Sequence, residues 1–202
     1  MSRLSPDNVI LGLLATKPCH GYQLLEHFRA PGELGRIWHL STSQLYSILK
    51  RLEKRGLVIG QKMESDDAPT RTEYQLSETG HERLHQWMHE KTPSASTRRI
   101  RTEFLSRLVI ARLLNIPITP IIQHQIATCQ ERQADILIMR DQVGDGIGFL
   151  SLDLLVSELT AILQWINRCH NMLTKPKDDA TEGNGYLQND RYADSGHGDG
   201  GE

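Results

Sequence analysis

The sequence predicts a mostly α-helical protein with one small β-hairpin. Two observations carry this prediction. Residues 1–92 contain short amphipathic helical patterns, followed by two extended runs around a polar turn. A stretch rich in Pro, Ser and Thr at residues 92–97 then interrupts the pattern, and residues 98–173 are helical in character throughout. We therefore expect an N-terminal domain over residues 1–92 and a helical region over residues 98–174.

The first two helices are short and have clear end signals. Ser5 suits the cap and Pro6 the first position of a helix that ends near residue 17. A second helical pattern covers residues 21–28, where the leucines fall on one side. Residues 30–35 are rich in turn formers and predict a connection.

The third helix, over residues 42–55, is the most informative. Ser41 and Gln44 have the spacing of a capping box, and Gly56 supplies a left-handed stop. The apolar positions that recur at helical spacing, and that we expect to be buried, are Leu45, Ile48, Leu49 and Leu52. The free face and its flanks carry Ser43, Gln44, Tyr46, Ser47, Lys50, Arg51 and Lys54.

Three helices followed by a hairpin is the order of a winged helix-turn-helix. The major groove of DNA is about 12 Å wide and admits one helix, in which Gln, Lys and Arg contact base edges while Ser and Tyr hold phosphates. The free face of the third helix has these residue types, and the hairpin adds Lys62 and Arg71 as backbone contacts. Taken alone, this helix would instead be interpreted as a solvated surface helix. Together with the hairpin it predicts binding to double-stranded DNA.

The last helical segment predicts dimerisation. Its apolar residues alternate at spacings of three and four over three heptads, which is a coiled-coil seam. A second stripe of Leu154, Trp165 and Met172 lies about a quarter-turn away, so the helix needs two partners, one of which lies outside the chain. The alternative is a packed helix in a monomeric bundle. The seam comprises Leu152, Leu155, Leu159, Ile162, Ile166, Cys169 and Leu173.

Charge and composition narrow the function classes. The net charge of −2 comes from the tail, since residues 176–202 hold 2 basic and 7 acidic residues. We expect residues 175–202 to form a disordered acidic tail. The three cysteines form no paired motif, which is typical of a reducing compartment. No apolar stretch approaches about 20 residues, so we expect a cytoplasmic protein with no membrane contact.

Two further patterns suggest ligands. His81, His85 and His89 repeat every four residues, which is a spacing that chelates metals, although a stripe at the solvent edge is the simpler interpretation. Trp87 and Trp165 are candidates to line a cleft for a flat aromatic effector, although core packing is the simpler role for each. No nucleophile motif is present, so we expect neither an enzyme nor a cofactor.

Four runs of the N-terminal domain are distinctive: ILGLL at residues 10–14, CHGYQL at residues 19–24, LYSILKRLEKRGLV at residues 45–58 and YQLSETG at residues 74–80. In this order they resemble the PadR-like family of transcriptional regulators. The helical region is similar to the family branch with a long C-terminal part. Two departures are Thr42-Ser43, where the family often has Gly or Pro, and the acidic turn at Asp66-Asp67, where the family has a more basic wing.

The resemblance implies a homodimeric repressor that binds a palindromic operator and is released by a small-molecule effector. Two alternatives stay open. One is a winged-helix protein-interaction module without DNA binding, which the acidic turn and tail favour. The other is a metal-responsive regulator that uses the three histidines.

Overall fold

The computed structural model of the chain describes residues 4–29, 32–65 and 68–174. The predicted acidic tail and the turn residues Asp66 and Asp67 lie outside these ranges. The N-terminal helices are α1 (Asp7–Leu14), α2 (Gly21–Arg29), α3 (Glu33–Ile37), α4 (Thr42–Lys54) and α5 (Glu78–Met88). The strands are β1 (Cys19–His20), β2 (Val58–Ser65) and β3 (Ala68–Leu76).

The predicted fold class is confirmed, with three local differences. Helix α1 begins one residue later than predicted, because Pro6 is its N-cap. Helix α3 lies in the predicted turn-rich connection, and its five residues are too few for periodicity to show. Strand β1 was not predicted, because two residues carry no alternation. It pairs with β3, so that the hairpin becomes a three-stranded antiparallel sheet in the order β1-β3-β2.

The helical region begins with one bent helix and ends with a long hairpin of two helices. The first part consists of α6 (Thr97–Arg99), a π-helical segment (Ile100–Phe104) and α7 (Leu105–Leu113). The hairpin consists of α8 (Thr119–Gln142) and α9 (Ile147–Thr174). The two helices run antiparallel, since Gln133 bonds Thr160 at 2.7 Å and Arg140 bonds Asp153 at 3.0 Å.

One hydrophobic core crosses the predicted domain boundary at residues 92–97. Helix α7 packs against α1 so closely that a Cβ on Gly12 would lie 2.5 Å from the side chain of Ile110. The indole nitrogen of Trp38, just before α4, donates to the Ser106 hydroxyl at 2.8 Å. Helix α7 therefore supports the segment that leads into α4, although we predicted it to be part of a separate region.

The cysteines are all free in the structure, as expected from their spacing. Cys19 and Cys129 are buried, and Cys169 is half-buried. Burial raises the pKa of each thiol above its ordinary value. The thiols are therefore protonated at neutral pH and are poor nucleophiles.

Helix α9 is apolar on two sides. Leu159 and Ile166, in the middle of the predicted seam, are buried against the core of the same subunit, and Leu152 and Ile162 are half-buried there. The other side, which we call the α9 stripe, faces solvent. It consists of Ile147, Leu150, Leu154 and Met172, which are 82%, 60%, 60% and 79% exposed.

Within the described part of the chain, α9 is also the helix that is long and apolar enough to cross a bilayer, by length and composition alone. The expectation that no apolar stretch approaches this length is therefore wrong. This criterion is weak evidence for a membrane span. An exposed apolar stripe opposite a buried one is equally what a helix shows when its second partner is another protein.

Candidate nucleic-acid interface

Helix α4 begins at the capping box that the sequence predicts. The Ser41 hydroxyl accepts a hydrogen bond from the main-chain NH of Gln44 at 3.2 Å, and the Gln44 side-chain oxygen accepts one from the main-chain NH of Ser41 at 2.8 Å. The hydroxyls of Ser41 and Ser43 lie 3.0 Å apart. These bonds fix the first turn of α4, which is the part of a recognition helix that contacts base edges.

The two faces of α4 differ as predicted. Leu45, Leu49 and Leu52 are fully buried and Ile48 is 6% exposed, so the apolar stripe anchors the helix in the core. The side chains that we predicted to contact DNA are all exposed: Ser43, Gln44, Tyr46, Ser47, Lys50, Arg51, Lys54, Lys62 and Arg71.

The cations on this face differ in their partners. Among the residues that the structure describes, Lys50 and Lys54 take part in no ion pair. Arg51, by contrast, donates from Nη2 to the Asp7 carboxylate at 2.5 Å and to the Ser5 hydroxyl at 2.8 Å. The sequence analysis placed Arg51 on the free face but missed this contact, which joins residues that are far apart in the chain.

The sheet brings a second group of side chains beside α4. The Arg71 guanidinium lies 5.7 Å from the centroid of the Tyr22 ring, and Tyr22 stacks on His20 with 5.7 Å between ring centroids. Gly21 lets Tyr46 approach, since a Cβ there would lie 2.8 Å from the Tyr46 ring. The sequence analysis missed Tyr22 and His20. The signal that would have found Tyr22 is an aromatic residue on the polar side of a short amphipathic helix.

The three histidines of the predicted stripe lie along α5, with His81 and His85 on the helix and His89 at its C-cap. The rings of His85 and His89 stack with 4.1 Å between centroids, and the Nδ1 of His89 donates to the main-chain carbonyl of His85 at 2.9 Å. In residues 4–29, 32–65 and 68–174, no three His, Cys, Asp or Glu side chains are placed to hold a metal ion. The histidines instead line an open groove of about 840 Å³ with Leu84 and Met88. The alternative of a metal-responsive regulator stays a prediction.

The two tryptophans are packing residues in this structure. Trp87 is 6% exposed, with the Arg107 guanidinium 5.2 Å from its ring centroid. Trp165 is half-buried and packs edge-on against Phe104 with 6.1 Å between centroids. Neither side chain lines the groove beside α5, and neither lines a second cleft, which Asp7, Ser43 and Arg51 border between α1 and α4. Their role in an effector site stays a prediction.

Helix α4, the antiparallel sheet beside it and the supporting helices form a winged helix-turn-helix. The model of the "Transcriptional regulator PadR-like family" matches residues 10–86, which run from α1 to α5. Residues 10–86 are therefore similar to the domain of this family, and we call them the PadR-like domain. The predicted recognition is thereby confirmed over the part of the chain that holds the candidate interface.

One curated relative also matches the chain in sequence. The chain is 30% identical over 96 residues to the "Negative transcriptional regulator PadR" of Bacillus subtilis, an alignment that covers 48% of this chain. The chain spans about half the length of this curated relative, 50% by alignment.

Two solved structures also match the chain. The B. subtilis PadR structure in complex with operator DNA matches with a TM-score of 0.41 and 19% identity, and covers 82% of this chain and 96% of that one. A transcriptional regulator from Clostridium thermocellum matches with a TM-score of 0.35 and 28% identity, and covers 40% of this chain and 73% of that one.

Proposed function

We propose that this chain is a sequence-specific DNA-binding transcriptional repressor that binds a palindromic operator as a homodimer. The observation that carries the proposal is α4, which has a fully buried apolar side and a free side of hydroxyl, amide and basic groups. Its placement beside the sheet gives Lys62 and Arg71 access to the same duplex. The curated relative is named a negative regulator, which supports repression as the sign of control.

DNA binding is tested with a duplex that the protein itself selects. A random-sequence duplex pool is enriched by repeated binding to the full chain, and the selected duplex is compared with a scrambled duplex of equal composition at several salt concentrations. We expect the selected duplex to bind at least about 1,000-fold more tightly, with affinity that falls as salt rises. A pool that never enriches would instead favour the protein-interaction module.

We place the dimer contact on the α9 stripe. Within the predicted seam, Leu159 and Ile166 pack against their own subunit, whereas Leu155 and Leu173 are 39% and 40% exposed. The α9 stripe is the more exposed apolar surface of the described part of this helix. On α8, which runs antiparallel to α9, Ile138 and Met139 are also 60% and 45% exposed, and we include them in the proposed contact patch. A second copy that covers this patch would carry a second α4, as a palindromic site requires.

Substitution of Leu154 with glutamate is expected to convert the dimer into a monomer, since it places a charge in the middle of the apolar stripe. Sedimentation of the full chain measures the mass directly. Asn167→Asp is the matched control, because it adds the same charge to an exposed position of α9 outside the stripe. A Leu154→Glu protein that remains dimeric places the contact elsewhere.

This proposal carries two consequences. The protein acts in the cytoplasm, where a bacterial operator is located, and it needs no catalytic step. Release by a small aromatic effector stays a prediction from the family resemblance.

A further inference from the structure

We propose that Asp7 determines specificity at the DNA interface by holding Arg51 of helix α4 and Arg55 at its C-cap within the subunit. The inference rests on the proposed function and concerns how α4 discriminates among sequences. Asp7 is the first residue of α1, and α1 lies outside the elements that the sequence analysis assigned to the interface.

The Asp7 carboxylate divides its two oxygens between two arginines. Oδ1 accepts from Arg51 Nη2 at 2.5 Å, and Oδ2 lies 3.6 Å from Arg55 Nη1. The hydroxyl of Ser5 donates to Oδ1 and also accepts from Arg51 Nη2, at 2.8 Å. Arg51 is therefore held by two oxygen atoms, one from Ser5 just before α1 and one from Asp7 at its first position.

The carboxylate and the two guanidinium groups differ in their exposure to solvent. The Asp7 side chain is 20% exposed, whereas Arg51 and Arg55 are 46% and 53% exposed. The carboxylate is thus more buried than the guanidinium groups, which remain about half exposed to solvent. Asp7 therefore restrains both arginines while their guanidinium groups stay accessible.

The Asp7 carboxylate affects the two kinds of DNA complex differently. Binding to arbitrary sequence depends on mobile cations that move to the nearest phosphates and release counterions. Two arginines paired inside the subunit contribute less to that term. In the specific complex, a restrained Arg51 reaches its site with less loss of side-chain entropy. Asp7 therefore weakens arbitrary binding while the specific complex keeps its affinity.

The expected size of the effect follows from the exposure of the pairs. Half-exposed ion pairs are worth at most about 1 kcal/mol, which corresponds to roughly fivefold in affinity. We expect Asp7→Asn to raise affinity for the scrambled duplex about fivefold and to change affinity for the selected duplex about twofold or less. The salt dependence of scrambled-duplex binding should steepen by about one to two counterions per subunit.

Three variants of the full chain test the proposal with the selected and scrambled duplexes. Asp7→Asn is isosteric and removes the charge. Asp7→Glu restores the charge and is expected to recover most of the discrimination. Asp135→Asn, at an exposed position of α8 that has neither a hydrogen bond nor an ion pair among the described residues, makes the same charge change away from α4. It is expected to leave the ratio of the two affinities unchanged.

Each result of these experiments either supports or overturns the proposal. An unchanged affinity ratio in Asp7→Asn overturns the proposal, and so does an equal change in Asp135→Asn. If Asp7→Asn does not fold, Ser5→Ala decides, since it removes one acceptor of Arg51 and leaves every charge in place. An unchanged ratio there also overturns the proposal. A wild-type chain that does not distinguish the two duplexes overturns the proposed function itself, which is a different result.

Discussion

Replacement of both Lys50 and Lys54 with alanine is expected to lower affinity for the selected duplex by at least about 100-fold at physiological salt. Both lysines lie on the free face of α4 and take part in no ion pair among the described residues, so their charge is fully available to DNA. In a twofold complex the change removes four contacts, each on the order of 1 kcal/mol, where 1.4 kcal/mol is tenfold. Titrations at several salt concentrations measure the loss.

Two measurements show whether the affinity is lost through the contacts of Lys50 and Lys54 or through the lower net charge of the protein. They are the salt dependence of binding and the affinity of a variant with the same change in net charge. Loss of two phosphate contacts per subunit should flatten the slope of log affinity against log salt by about two for each subunit. Lys91→Ala/Arg132→Ala removes the same charge from exposed positions outside α4 and the sheet. A control that loses affinity as strongly as Lys50→Ala/Lys54→Ala would contradict a role for α4. Thermal unfolding should be unchanged in both double variants, because all four substituted side chains are exposed.

Glu90→Ala is expected to lower the free energy of unfolding by about 2 to 3 kcal/mol. Its carboxylate accepts from Arg107 Nη2 at 2.6 Å, and the Arg107 side chain is 2% exposed. Burial lowers the pKa of the Arg107 guanidinium, which the charge of Glu90 opposes. Removal of Glu90 leaves a buried cation whose remaining favourable interactions are with the Trp87 ring and the charge of Glu103. The estimate lies below that for a fully buried pair because Glu90 itself is 42% exposed.

Comparison with Arg107→Met tests the physical reason. Methionine removes the buried charge and fills much of the same space, so we expect a smaller loss than in Glu90→Ala. The double variant should resemble Arg107→Met alone, since no charge then remains to compensate. Urea unfolding measures all three, with Glu131→Ala on the exposed surface of α8 as the control. Equal losses in Glu90→Ala and Arg107→Met would show that packing, not compensation, dominates at this site.

The ion pair of Glu90 with Arg107 also joins the helical region to the N-terminal domain. Glu90 follows α5 of the PadR-like domain, whereas Arg107 belongs to α7. The bond from Trp38 to Ser106 makes a second link between the same regions, next to the start of α4. The helical region is thus joined to the segment that leads into α4 by one buried polar contact, and to the residues that follow α5 by a second, half-buried one.

Local signals in the sequence were sufficient for α4 and the hairpin. Ser41 and Gln44 bond within one turn, which determines where α4 begins. The buried apolar residues of α4 recur within about two turns, which determines the side that is buried. The family resemblance covers the same stretch. Elements of two to five residues, such as β1 and α3, are too short for any periodicity and were missed or interpreted as turns.

Tertiary structure alone decided the contacts between distant parts of the chain. Helical spacing shows that α9 has two apolar sides, but only packing shows that Leu159 and Ile166 face the subunit while Leu154 faces solvent. The pairing of Asp7 with Arg51 joins residues 44 apart in the chain. Periodicity records which residues share a face of one helix, and it holds no information about which other element covers that face. That choice depends on the whole chain at once.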